Sequence, residues 1–182
     1  SAADIDCGLG FGWSHSLSHS LHIDADQVIW TDHENRRTTF PLPTAERPAI
    51  HNSLSRAAIC KGDDSQELIL ALAGETARFF HFRAGQLATI SDAYGNRLTV
   101  QRDFANRIER LDNGAGRSLR LRWDRRHLVA VDYQSFHPAP TLQDAWSTEQ
   151  VLATYRYDAC HRLVAANNAA DESERYDYDD QN

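Results

Sequence analysis

The chain has 182 residues, of which 41% are hydrophobic and 25% charged, and its formal net charge is −7 with histidine neutral. That balance excludes a disordered chain. No apolar run approaches the roughly 20 residues of a membrane helix, and the negative charge argues against a general nucleic-acid binder, which needs a basic surface. Cys7, Cys60 and Cys160 are an odd, widely spaced set without a CxxC, so they supply no disulfide framework and fit a protein made and loaded in a cytosol. The start, Ser1-Ala2-Ala3-Asp4-Ile5-Asp6, has no signal-peptide pattern, and the chain has no methionine, which reads as a piece of a longer protein.

Three glycines at alternate positions open the chain, in Gly8-Leu9-Gly10-Phe11-Gly12-Trp13, and allow tight turning or close backbone approach. Serines at 14, 16, 18 and 20 then alternate with His15, Leu17, His19, Leu21 and Ile23, a period of two that predicts a strand with the His/Leu/Ile side inward. Val28-Ile29-Trp30-Thr31 and Arg37-Thr38-Thr39-Phe40 read as a hairpin around the polar loop 32–36, ended by Pro41, Pro43 and Pro48. Residues 44–66 carry little pattern beyond the apolar Ala57-Ala58-Ile59-Cys60 and a turn at Lys61-Gly62-Asp63-Asp64. Strands are expected at 67–72 and 76–82, followed by a hairpin turn at Arg83-Ala84-Gly85-Gln86. The Leu87 strand, a loop at 91–96 and a strand at 97–102 come next, with Gly85 and Gly95 giving positive φ at the turns.

From here the sequence repeats itself. Gln86-Leu87-Ala88-Thr89-Ile90 is echoed by Arg107-Ile108-Glu109-Arg110-Leu111, His127-Leu128-Val129-Ala130-Val131 and Arg162-Leu163-Val164-Ala165-Ala166. The steps Leu87–Ile108, Ile108–Leu128 and Leu128–Leu163 are 21, 20 and 35 residues, and the excess falls at 134–150, with Pro138, Pro140 and Trp146. Insertions in repeats map to loops, and 141–150 is expected to form a short helical turn. Strands end in aromatic-Asp pairs, Trp123-Asp124, Tyr157-Asp158 and Tyr176-Asp177. The aspartate suits a strand exit because its side chain bonds the following amides. One hairpin alone is marginal, so successive hairpins stack edge to edge. Phe82, Trp123, Tyr157 and Tyr178 are expected at equivalent positions in an aromatic ladder. The segment Glu174-Arg175-Tyr176-Asp177-Tyr178-Asp179 reads as the closing strand of a further repeat, whose partner would lie beyond the chain. The fold class is therefore all-β, with antiparallel hairpin repeats in a large curved sheet and little helix. The organisation is an N-terminal β region over 1–77 and a repeat region of about four degenerate copies over 78–182.

These motifs resemble the Rhs (rearrangement hotspot) family, whose hallmark is the YD repeat. Tyr155-Arg156-Tyr157-Asp158-Ala159-Cys160-His161-Arg162-Leu163 matches the family pattern closely, with Cys160-His161 where Asp/Gly residues are usual. Gly85-Gln86-Leu87 with Asp92-Ala93-Tyr94-Gly95-Asn96-Arg97 matches a second copy, and Tyr176-Asp177-Tyr178-Asp179 starts a third. The glycine front and Arg36-Arg37-Thr38-Thr39-Phe40-Pro41 look like the family's entry segment. The resemblance implies a hollow β-shell that encloses a C-terminal toxin, often delivered by type VI secretion as an effector in bacterial competition. The parent would be made in a bacterial cytoplasm and then secreted or delivered to a target cell. Partners would be the rest of the shell, the enclosed toxin and secretion spike or adaptor proteins, with no nucleic acid and no membrane insertion. The fragment would also self-associate through open strand edges. Related repeats in teneurins serve adhesion, so a carbohydrate- or protein-binding module is the alternative. The family's self-cleavage motif does not appear here, and no catalytic residue carries over.

The repeat positions singled out are Gly85, Leu87, Asp92, Gly95, Ile108, Trp123, Asp124, Leu128, Tyr155, Tyr157, Asp158, Leu163, Tyr176 and Tyr178. Trp146 and Tyr94, with Tyr133 and Phe136 nearby, are the candidate binding aromatics. His15, His19 and His22 are the candidate metal ligands, but on a strand His15 and His19 lie about 13 Å apart and His22 points the other way, so strand-face histidines are expected instead. Asp63-Asp64, Asp92, Asp112 and Asp179-Asp180 are assigned to turns rather than to a hydrolytic carboxylate pair. Arg117, Arg120, Arg122, Arg125 and Arg126 read as a solvated strand face, with a phosphate-binding stripe as the alternative. No GxSxG elbow and no phosphate loop is present, so neither enzymatic activity nor a cofactor or metal is expected of this chain.

Overall fold

The computed structural model describes residues 9, 16–138 and 145–178. The glycine front other than Leu9, Cys7, His15, Pro140 and Asp179-Asp180 lie outside the described residues. The described chain is all-β: fifteen strands, each paired antiparallel, and no helix among the described residues. It divides into two compact units, Ser14–Val100 and a second formed by Ser1–Trp13 with Gln101–Asn182.

In the first unit, β1 (Ser20–Asp24), β2 (Gln27–Thr31) and β3 (Arg37–Pro41) form one meander. A second meander comprises β4 (Ala49–Asn52), β5 (Ala57–Lys61), β6 (Glu67–Leu72), β7 (Arg78–Arg83), β8 (Gln86–Asp92) and β9 (Arg97–Arg102). The two meet at a single pairing, Ser20 with Gln86. Because side chains alternate along a strand, Val28 and Trp30, Leu68 and Leu70, and Phe80 and Phe82 all fall on one side. With Leu21, Phe40, Ile59 and Leu87 they form a continuous buried cluster. Each such side chain contributes roughly 1.5–3 kcal/mol on burial. Gly85 makes the junction between the meanders possible. It has φ +79°, its carbonyl accepts the Leu21 amide at 3.2 Å, and an added Cβ would sit 2.6 Å from the Leu21 oxygen.

The alternation over 14–23 overstates the first strand. Strand β1 begins at Ser20, so His19 precedes it. Ile23, expected inward, is 47% exposed, because β1 touches β8 only at Ser20 and its outer flank is open beyond that point. Pro41 remains in the ladder opposite Gln27; as the last residue of a strand with one neighbour it has no amide to leave unpaired. The patternless 44–66 segment holds β4, four residues directly after Pro48, as well as β5.

The second unit is a six-stranded meander: β10 (Ile108–Asp112), β11 (Arg117–Asp124), β12 (His127–Phe136), β13 (Trp146–Tyr157), β14 (Leu163–Asn168) and β15 (Ser173–Arg175). The insertion at 134–150 is not simply a loop. Its ends lengthen β12 and β13, with Phe136 opposite Trp146. The helical turn expected over 141–150 is corrected accordingly: Trp146 to Gln150 are strand, and 141–144 lie outside the described residues. The closing strand is also shorter than the Tyr-Asp pattern suggested. It ends at Arg175, although the Tyr176 amide still donates to the Val164 carbonyl at 3.1 Å.

Candidate functional site

The repeat positions converge on a seam in the second unit. Trp123 stands opposite Leu128 and Tyr157 opposite Leu163, each immediately after a bulge, at Arg122/Trp123 and Arg156/Tyr157. A bulge bends the strand and re-aims the side chain. Each ring then reaches back to the preceding repeat. Trp123 Nε1 donates to the Ile108 carbonyl at 2.7 Å, the Tyr157 hydroxyl to the Leu128 carbonyl at 2.7 Å, and the Tyr178 hydroxyl to the Leu163 carbonyl at 2.7 Å. Ile108, Leu128 and Leu163 are themselves buried repeat positions. Neighbouring strands of the meander are thus tied by three like bonds, each from an aromatic side chain to the backbone carbonyl of a buried aliphatic residue.

Each ring also covers the residue before its repeat Leu or Ile. The Arg107 guanidinium lies 5.6 Å from the Trp123 ring centre and that of Arg162 4.7 Å from Tyr178, while the His127 and Tyr157 rings are 4.5 Å apart. What recurs is therefore ring on cation or imidazole, in place of the expected aromatic ladder. Phe82 shares the bulge and the opposing leucine, Leu87, but has no polar tip and joins the apolar cluster of the first unit.

The strand-exit aspartate recurs more widely than the Tyr-Asp pairs. Asp158 Oδ1 accepts the Cys160 and Arg162 amides, and Oδ2 accepts Arg162 Nε at 2.8 Å. Asp32 does the same with Glu34 and Arg36, and Asp103 with Ala105 and Arg107. Asp92 uses Tyr94 and Asn96. Asn113 and Asn168 build the same loop with an amide oxygen. The fourth residue of each loop has positive φ: Asn35, Gly95, Asn106, Gly116, His161 and Asp171. The bonds leave the aspartates easier to ionise. Arg107 bonding holds the Asp103 carboxyl below its ordinary range, the Arg162 amide does so for Asp158, and the Asn96 side chain for Asp92. At Asp32 partial burial pushes the carboxyl up, but the bonds from Arg36 and Glu34 outweigh it.

The Asp103 loop escaped the Tyr-Asp reading because Arg102 stands where the aromatic does elsewhere. The spacing Asp-x-x-Asn-Arg, shared by 32–36 and 103–107, is the signal that finds it. Asp124 differs: its copy is one residue shorter and enters a two-residue turn at Arg125-Arg126. Asp64 and Asp112 also accept nearby amides, from Gln66 and Gly114. Tyr155 is half-buried, which pushes its hydroxyl up, and the Glu174 carboxylate holds the Tyr176 hydroxyl up at about 12.

The remaining candidates find structural surroundings. Buried His19 accepts Trp30 Nε1 on Nδ1 at 3.2 Å and packs on Phe80, while His22 is exposed; among the described residues no group of three potential ligands could hold a metal. Cys60 is partly covered, and burial pushes its thiol up. On β11, Arg117, Arg120 and Arg122 are exposed beside buried Leu121. Arg122 reaches buried Asp132, with Nε–Oδ2 at 2.8 Å. Arg110 reaches Gln134, which in turn donates to Thr148. Trp146 is half-buried, with Arg110 over its ring at 4.8 Å and Phe136 edge-on at 5.3 Å, whereas Tyr94 is 83% exposed at a loop tip.

One arrangement was not legible beforehand. His81 Nδ1 lies 3.1 Å from Glu67 Oε1 and Nε2 3.0 Å from Ser91 Oγ, a hydroxyl–imidazole–carboxylate line across β8, β7 and β6. The order is that of a nucleophile, base and orienting acid. Ser91 sits within the ladder, however, and the next amide, Asp92 N–H, is bonded to the Asn96 carbonyl. The donor that usually stabilises an oxyanion after a nucleophile is thus occupied, and the line acts as a cross-strand brace.

Comparison with known proteins adds two matches. Residues 1–40 match a domain of unknown function (DUF6531). Teneurin-m of Drosophila melanogaster is 28% identical over 108 residues, covering 52% of this chain and 4% of that protein. The chain therefore spans a small part of that relative's length. These matches support a YD-repeat-like chain.

Proposed function

We propose that this chain is a wall segment of an Rhs-type β-shell, whose parent protein encloses a C-terminal toxin and helps deliver it. The observation that carries this reading is the recurring clamp Ile108–Trp123, Leu128–Tyr157 and Leu163–Tyr178, in which three successive hairpins are each bonded across the root in the same way. Such a repeated clamp suits a sheet grown by adding like units, each stabilised by its neighbour. Within this reading the partners are further shell repeats, the toxin and secretion spike or adaptor proteins. The parent is made in a bacterial cytoplasm and delivered by a type VI apparatus.

The test is made on the full-length parent protein. Electron microscopy is expected to show a hollow particle, and limited proteolysis to spare the C-terminal domain. Trp123→Ala with Tyr157→Ala should hasten its digestion. A C-terminal domain cut as fast in the parent as when expressed alone would overturn the shell reading.

A further inference from the structure

Two turns of the second unit border an open cleft of about 840 Å³. The Arg125-Arg126 turn lies on one side, and the Asp158 loop with Arg156 and His161 on the other; His127 forms part of the lining. The His127 and His161 rings stack, with centres 4.9 Å apart. Among the described residues no ion pair engages the Arg125, Arg126 or Arg156 side chains, all exposed. Two acids share the lining, Asp124 and Asp158, and Asp158 is committed to Arg162 at 2.8 Å. In a chain of net charge −7, this is a local concentration of cationic donors.

The backbone supplies an independent observation. At the left-handed position of the six aspartate or asparagine loops, five hold Asn, Gly or Asp, which with His are the residues enriched there. The sixth holds His161, with φ 65°. Across the cleft, Arg125 has φ 52° at the first position of a two-residue hairpin turn, where the like turns hold Ala25 and Ala84 with φ 48° and 49°. At both positions this copy holds a large, donor-bearing side chain where the like turns hold a smaller one, and both line the same cleft. Strained positions of this kind cluster at functional sites. The Arg125 turn is also tethered from below, because Arg107, already bonded to Asp103, donates to the Arg125 carbonyl.

We propose that this cleft binds a small, multiply charged oxyanion, held by the guanidiniums of Arg125, Arg126 and Arg156 and seated against the His127–His161 pair. Guanidinium forks match phosphate and carboxylate oxygens alike, and the volume suits a small ligand. The site is independent of the shell reading.

The experiment is calorimetric titration of pyrophosphate and of citrate into the chain at low ionic strength, with thermal melting of each variant. The parent chain is expected to bind one or both, and the preferred anion distinguishes a phosphate from a carboxylate ligand. His161→Asn and Arg125→Gly should each raise the melting temperature, by relieving the left-handed residue, while weakening binding roughly tenfold or more, the loss of one charge-assisted hydrogen bond. Arg37→Gln, remote in sequence and in the other unit, should leave affinity unchanged. Failure of the parent to bind either anion at millimolar concentration would overturn the proposal. So would unchanged affinity in both cleft variants, or an equal loss in Arg37→Gln.

Discussion

In Ser14–Val100 the side chains most deeply buried are Val28, Phe40, Ile59, Leu70, Phe82 and Leu87. In 101–182 the central strand β12 instead buries His127, Asp132 and Gln134 beside Leu128 and Ala130. Both units are meanders of short hairpins with the same loop chemistry. The first closes an apolar cluster between two meanders, so its cohesion comes from area removed from water. The second is a single meander whose neighbours are tied by directed bonds: the three aromatic links, Arg122–Asp132, and the Arg110–Gln134–Thr148 series. Apolar clusters tolerate changes of partner, whereas directed bonds fix register, since a one-residue slip moves every side chain to the other face.

The comparison predicts graded responses. The largest is Phe82→Ala in the first unit, expected to lose about 3–5 kcal/mol in denaturant unfolding by opening a cavity in the cluster. Next is Asp132→Ala, expected to lose about 1–3 kcal/mol through the bonds it makes with Arg122, with Asp132→Asn recovering part. If Asp132→Ala were silent, the second unit would not depend on its polar interior. Smaller again are Tyr157→Phe and Tyr178→Phe, about 0.5–1.5 kcal/mol each. Hydrogen exchange should rise at the starts of β12 and β14, respectively; uniform exchange along the unit would mean that the hydroxyls do not clamp the hairpin bases.

The smallest effect is an acid response shared by both units. Asp32, Asp92, Asp103 and Asp158 are held below their ordinary range when folded. The unfolded chain therefore binds more protons as pH falls. The stability these groups contribute is complete above the unfolded value of about 3.9 and is lost as pH drops through the lower folded values. Asp103→Asn should flatten the decline below about pH 4, since Asn113 and Asn168 already build the loop without a titrating group. An unaltered acid profile would show that the loop charge is immaterial.

Much of this was legible from residues. The recurrence of Leu87, Ile108, Leu128 and Leu163 located four strands, three of which oppose a bulged aromatic at Leu87, Leu128 and Leu163, because period and turn chemistry are local. What escaped was set by neighbours distant in sequence. Strand β4 is four residues long and earns its place only by pairing with β5. Asp132 and Gln134 look like solvent-facing polar residues until Arg122, Arg110 and Thr148 arrive from adjacent strands. The cleft could not be foreseen from the arginine run alone, since Arg156 and His161 come from a different hairpin.

The aromatic links lie at one end of each hairpin. Trp123 and Tyr178 each reach back 15 positions, while Tyr157 reaches back 29, yet all three bonds measure 2.7 Å. The extra length of the β12–β13 hairpin was therefore added at its far tip without disturbing its root. A hairpin fastened at the root is an insertion platform. New sequence placed beyond Phe136 and Trp146 changes what the tip presents while leaving the register of neighbouring repeats as it was, so such a sheet can vary its surface without altering its framework.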